Sequence, residues 1–463
     1  MCDTRYCFDI MLTQSTLLTA QFGDEAVAQI FSDAQLIHYL LHAEVALARA
    51  EAALDVIPAS AAEAIAQGAA SLQVDVARLH IETERDGVPI TELVRQLREH
   101  IGGDAVQFVH WGATTQDILD TALILQMRDA LNFIEPNLAS CILHLASLAD
   151  KHRHTLMAGR THSQQALPVT FGFKVANWLA PLLRHRERLA QFLPRVLLVQ
   201  LGGAVGTLAS LGAGEIGAQV QAAFAQELDL GLPMLAWHTQ RDGSAEVANW
   251  LSLVSGSLAK MAQDIILMAQ SEVGELSESD DPTRGGSSTM PQKSNPIVSE
   301  RIVAAARTNA ALLANMHHAL IQEHERGTHG WQLEWLSLPQ MFALTAGALK
   351  SAIFLSENLV VNAERMRQNV RDSNGTMLAE RLSFALATVM SRAKAKTLIK
   401  NAGQYAIRHN ENLVDVVREQ TGADLDWDAL RDEANYLGAT QTFIDRVLVA
   451  ATFTAARDAR AHP

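Results

Sequence analysis

The sequence predicts an all-α protein of three helical domains, arranged around a long central helix bundle. Two observations carry the helical class. Apolar residues recur at i, i+3 and i+4 through most windows of an Ala- and Leu-rich chain, and Pro and Gly gather at a few points between those runs. A third sets the domain number: 463 residues exceed one ordinary core. The formal net charge of −14 leaves no basic face for a nucleic acid or an anionic membrane, so an anionic ligand must be held by a local cluster. Cys2, Cys7 and Cys141 form no disulfide framework, which points to a reducing cytoplasm. No secretory h-region is visible and no apolar run reads as long enough to span a bilayer, so no membrane partner is expected.

Taken in order, Leu36, Leu40, Leu41, Val45, Ala48 and Ala52 make one face of a helix over 34–56, ended by Pro58. Ser60-Ala61-Ala62-Glu63 has the form of a capping box opening the next helix. Ile90 to Ile101 is a short helix stopped by Gly102-Gly103. A long run from Gln116 to about Leu148 contains Pro136, which either kinks it or starts a new helix. Further long periodic segments cover 170–200, 244–276, 296–323 and 333–360, as expected of an elongated antiparallel bundle. Charge density rises and the helices shorten after Asn362. The expected domains are therefore 1–112, 113–361 with a signature loop at 284–296, and 362–463.

Within that frame three stretches combine groups suited to chemistry. The first is His110-Trp111-Gly112-Ala113-Thr114-Thr115-Gln116-Asp117, where consecutive hydroxyls open a long helix and could bind a carboxylate, or could simply cap it. Another is Gly159-Arg160-Thr161-His162-Ser163-Gln164, which sets a histidine between hydroxyl residues beside an arginine, either as a titrating group or as a satisfied polar residue at a helix junction. The last, Gly285-Gly286-Ser287-Ser288-Thr289-Met290-Pro291-Gln292-Lys293-Ser294-Asn295-Pro296, reads as a mobile loop running into a helix start. It aims an ammonium, an amide and free N–H groups at one place, where an anion would be stabilised.

The three stretches, in this order, resemble the site-forming regions of the fumarase/aspartase superfamily, and the helical pattern fits over essentially the whole chain. The resemblance implies roles position by position. Ser287 matches the loop residue assigned as base, His162 the histidine of the second region, and Glu300 the carboxylate that orients it. Lys293 and Asn295 match the groups holding a substrate carboxylate, and Thr114 and Thr115 match carboxylate-binding hydroxyls. His110, Thr161 and Gln164 fall in the same regions as further substrate-binding residues. Trp237-His238-Thr239-Gln240-Arg241-Asp242 and the stretch from His324-Glu325-Arg326 to Trp335 resemble the lactonising cycloisomerase branch. Glu84-Arg85-Asp86-Gly87 stands where adenylosuccinate lyases carry a His-Asp pair. The branch implies a tricarboxylate substrate, for which Lys293, Arg241, Arg160 and Arg326 are the candidate cations. It also implies no metal and no cofactor, and a homotetramer whose active sites each draw their three regions from different subunits. The alternatives are a fumarate-releasing elimination of the adenylosuccinate or argininosuccinate lyase type and, outside enzymes, a crystallin-like helical scaffold.

Overall fold

The computed structural model describes Leu17 and residues 20–461 apart from Pro282, Ser287, Ser288 and Pro291, with side-chain burial described to residue 452. The chain begins with α1 (Glu25–Ile30), α2 (Asp33–Ala53), α3 (Ala59–Ser71), α4 (Val76–Asp86) and α5 (Ile90–Ile101). α6 (Thr115–Lys151) leads to a hairpin of β1 (Leu156–Thr161) and β2 (Gln164–Thr170), followed by α7 (Phe171–Val196), α8 (Ile216–Glu227) and α9 (Asp242–Met268). β3 (Leu276–Ser277) precedes the signature loop, which enters α10 (Ile297–His318) and then α11 (His329–Asn358). β4 (Val360–Val361) pairs with β3, and α12 (Ala363–Arg371), α13 (Ala379–Leu386), α14 (Arg392–His409), α15 (Leu413–Thr421), α16 (Trp427–Arg431) and α17 (Thr440–Ala461) complete the chain.

The predicted helices are present, with three differences that have physical causes. Pro136 lies inside the single helix α6 and neither ends it nor starts another. Ser60 does not cap α3, because the helix already begins at Ala59 behind Pro58 and has no side-chain cap. Residues 156–170, which lie between the expected helical segments and carry no expected strand, form an antiparallel hairpin. Pro168 within β2 and the short apolar content of β1 hide that hairpin from pattern reading.

By compactness the chain forms two units, residues 1–137, 185–256 and 304–350 in one, and 138–184, 257–303 and 351–463 in the other. The limits between them fall inside α6, α7, α9, α10 and α11.

The first unit packs α2 to α5 and α8 around Leu40, Leu47, Ile65, Leu93, Leu97, Ile118, Val220 and Phe224, all buried. Each such side chain contributes roughly 1.5–3 kcal/mol relative to exposure. In the second unit, Leu382, Leu386, Ile399, Ala402, Val414 and Val417 form a separate core drawn entirely from 362–463. α9 and α11 are long and apolar enough to cross a membrane by length and composition, contrary to the sequence expectation. The apolar window of α11 is 67% buried, as befits a bundle helix apolar on several faces.

Candidate active site

In the first unit the site begins at a turn made by necessity from unusual backbone. His110 has φ +61° and Gly112 φ +70°, and a Cβ on Gly112 would come within 2.4 Å of the Leu211 side chain. Only glycine allows this turn to close against the 202–212 loop. Asp117, fully buried, then ties the turn down. Its carboxylate accepts hydrogen bonds from the N–H groups of Thr114, Gly202 and Gly203, each at 2.9 Å, and lies 2.6 Å from His238 Nε2. Thr114 is thus held at the entrance of α6 by a side chain one turn into the helix. Neither the Thr114 nor the Thr115 hydroxyl is hydrogen-bonded among the described residues, which leaves both available to a ligand. His110 Nδ1 lies 2.6 Å from Glu44 Oε1.

Two expected substrate cations in this unit are occupied. Arg241 is 2% exposed and donates to Asp120 at 2.8 and 3.0 Å and to Glu334 at 2.7 and 2.5 Å, with the Trp237 ring 4.8 Å from its guanidinium carbon. Burial opposes its charge, but the two carboxylates outweigh burial and hold it protonated. Trp331 Nε1 donates to Asp120 as well, at 2.9 Å. Arg241 is therefore a structural cation joining α6, α9 and α11, which corrects its assignment to substrate. Arg326 donates through Nη2 to the carbonyls of Gly203 and Ala204 at 3.0 and 2.7 Å, so part of its hydrogen-bonding capacity is spent holding the glycine loop.

In the second unit, Thr161 pairs with Gln164 across a two-residue turn formed by His162 and Ser163 at φ +50° and +61°. Such turns favour Asn and Gly; for His and Ser the left-handed conformation costs about 1–2 kcal/mol per residue. The tight hairpin thus enforces strain that presents the exposed His162 at its tip. Arg160, one residue before Thr161, is bound by both oxygens of Glu275 at 2.8 and 2.7 Å. Glu275 is fully buried and also accepts from Asn369 Nδ2 at 2.8 Å. The Arg160 guanidinium is thus paired with a buried carboxylate inside the chain while its side chain stays partly exposed, so its charge is not free for a substrate.

The signature loop is pinched at its neck. Gly285 O accepts from Asn295 N at 2.8 Å and from Asn295 Nδ2 at 2.9 Å, and Gly286 bridges Ser294. Gly285 has φ +65°, and a Cβ there would meet Asn295 O at 2.3 Å. The expected anion site at the start of α10 is filled from within. Glu278 accepts from Val298 N at 3.0 Å and from Ser299 N and Oγ, each at 2.6 Å. An internal carboxylate therefore caps α10, and the Asn295 amide closes the neck of the loop. Lys293 is exposed, with no carboxylate partner among the described residues. Glu300 is exposed in the first turn of α10, and within one chain no hydrogen bond joins it to His162. Ser287 lies outside the described residues.

The single chain thus gathers the named residues into three groups: His110 with Thr114 and Thr115, Thr161 with His162 and Gln164, and Lys293 with Asn295 and Glu300. Sequence reading missed the acids behind them, Glu44, Asp117, Asp120, Glu275 and Glu278. Asp117 alone carried a signal, since an acid three residues after a capping threonine is the pattern of a capping box.

The lyase family profile matches residues 16–308 of this chain. The chain belongs to the fumarase/aspartase lyase superfamily. It is 40% identical over 444 residues to 3-carboxy-cis,cis-muconate cycloisomerase of Acinetobacter baylyi, covering 94% of this chain and 98% of the relative. A crystal structure of the 3-carboxy-cis,cis-muconate lactonizing enzyme from Pseudomonas putida superposes with a TM-score of 0.89 at 40% identity, covering 95% and 99% of the two chains. Trans-aconitate decarboxylase 1 of Mycosarcoma maydis is 39% identical over 432 residues, 92% of this chain and 87% of the relative. With the family match and full-length cycloisomerase relatives together, the chain is an enzyme of this superfamily.

Proposed function

We propose that this enzyme closes 3-carboxy-cis,cis-muconate to 4-carboxymuconolactone, in the protocatechuate branch of aromatic catabolism. The observation that carries the reading is the end-to-end match, at about 40% identity, to cycloisomerases in both sequence and structure. One substrate carboxylate oxygen adds to the conjugated diene, and the displaced electron pair collects on the far carboxylate as an aci-carboxylate with about two negative charges. An enzyme acid then protonates the neighbouring carbon, so all atoms of the substrate are kept. Preorganised donors stabilise the aci-carboxylate more than the ground state. Lys293, exposed and without a carboxylate partner among the described residues, is the cation suited to that task, with the hydroxyls of Thr114 and Thr115 as donors. Ser287 or His162 supplies the proton, and Glu300 of a neighbouring subunit orients His162 in a cytoplasmic homotetramer. The tetramer brings the three groups into one site, which explains why a single chain leaves His162, Lys293 and Glu300 exposed.

The test is loss of the muconate diene absorbance when enzyme and substrate are mixed. An inert mixture, with adenylosuccinate or argininosuccinate cleaved or trans-aconitate decarboxylated instead, would sink the assignment while leaving the superfamily intact.

A further inference from the structure

Behind the turn that carries Thr114 and Thr115 lies a row of buried titratable groups that the chemistry above does not use. Glu44 and Glu51 are seven residues apart on α2 and are 2% and 0% exposed. Neither oxygen of Glu51 finds a hydrogen-bond donor among the described residues. Burial, with the Glu44 carboxylate adding to it, pushes the Glu51 carboxyl up to about 9, so near neutral pH it is an uncharged acid. Glu44 is engaged differently, with Oε1 2.6 Å from His110 Nδ1.

His110 has the features of a placed group. Its backbone is left-handed at φ +61°, a conformation that costs a non-glycine residue about 1–2 kcal/mol and is held only by its surroundings. The ring is 17% exposed, and Nε2 has no hydrogen-bond partner among the described residues. The charged groups that face it are Glu44 from α2, Asp117 from α6 and Arg98 from α5. Burial, the largest single influence, lowers its pKa, yet the charge and hydrogen bond of Glu44, with Asp117 adding to them, together hold the imidazolium above its ordinary value. A carboxylate on one ring nitrogen fixes the tautomer and orientation of the other.

We propose that Glu44 is a positioning residue of the active site, clamping His110 through Nδ1 so that Nε2 remains an N–H donor to a substrate carboxylate seated at the Thr114–Thr115 turn. The inference rests on the reading that this turn binds carboxylate. His110 then contributes a fixed cation where the arginines named from the sequence do not, since Arg241 and Arg160 are neutralised elsewhere.

Steady-state kinetics of the assembled enzyme on 3-carboxy-cis,cis-muconate from pH 6 to 8.5 test it, comparing wild type with Glu44→Gln and Glu44→Asp. Glutamine can still accept from Nδ1 but carries no charge. Glu44→Gln is expected to approach wild type only towards the acid end of the range and to show KM about tenfold higher at pH 8, with kcat changed far less, because a charge-assisted hydrogen bond becomes a neutral one. Glu44→Asp should recover most of the wild-type profile. Parallel KM profiles for wild type and Glu44→Gln, or a loss confined to kcat, would overturn the proposal. Should Glu44→Gln fail to fold, His110→Gln serves: a raised KM that no longer varies with pH supports the clamp, and a wild-type KM contradicts it. Wild type inert on this substrate would count against the proposed reaction and not against Glu44. Calorimetric binding of propane-1,2,3-tricarboxylate to wild type and Glu44→Gln then reads the same difference, with equal pH slopes overturning it.

Discussion

Among individual residues, charge that looks alike in the sequence separates into two kinds. Arg241 and Arg160 are neutralised by buried acids, whereas Lys293 stands exposed without a carboxylate among the described residues. Lys293→Ala is therefore expected to lower kcat/KM by roughly 10²–10⁴-fold with an unchanged far-ultraviolet circular dichroism spectrum, as removal of a donor aimed at developing charge does. Near-normal turnover would remove Lys293 from the site. Ser287→Ala is expected to fall within a similar range if Ser287 moves the proton. The same distinction was invisible in the sequence, because Asp120, Glu334 and Glu275 lie 121, 93 and 115 residues from their partners. Glu51 gives a prediction with a defined sign. Its carboxyl is raised from 4.5 to about 9 in the fold, so the folded chain binds the extra proton and stability is fully present below about 4.5 and lost as pH rises towards 9. Glu51→Gln should raise Tm relative to wild type by a margin that widens from pH 5 to pH 8.5, by differential scanning fluorimetry. A constant difference across that range would contradict the buried neutral acid.

Elements show what local pattern can and cannot specify. The long helices were legible because their apolar spacing is sustained over many turns, and the signature loop because Gly, Ser and Pro mark it. The β1–β2 hairpin was not, since its turn is His162-Ser163 and not Asn-Gly, and the left-handed backbone is imposed by strand pairing. The start of α10 was half legible: its affinity for an anion was correct in kind, but the anion is Glu278, 20 and 21 residues upstream of the groups it holds. Glu278→Ala should cost about 1–2 kcal/mol as a lost cap and loosen the loop, read as faster amide exchange over 293–300. Unchanged exchange there would show that Glu278 does not secure the helix start. Gly285→Ala, which places a methyl group 2.3 Å from Asn295 O at a left-handed residue, should impair turnover more than stability, because the strain falls on the loop neck.

At the scale of the whole molecule, the limits of the two compact units fall within five long helices, and the site residues lie in three separate stretches of the chain. For the proposed homotetramer, sedimentation equilibrium should return four chains; a monomer with full activity would contradict that arrangement. Within the first unit the Asp120–Arg241–Glu334 triad fixes three long helices together. Arg241→Met, which leaves two buried carboxylates unpaired, should cost about 3–5 kcal/mol. The central claim is that this assembly lactonises 3-carboxy-cis,cis-muconate, and the most direct measurement is the ultraviolet progress curve of that substrate with purified enzyme. Loss of the diene absorbance, with one lactone formed per substrate consumed and no fumarate released, is the predicted result. A flat trace at enzyme concentrations that cleave adenylosuccinate or argininosuccinate would contradict it.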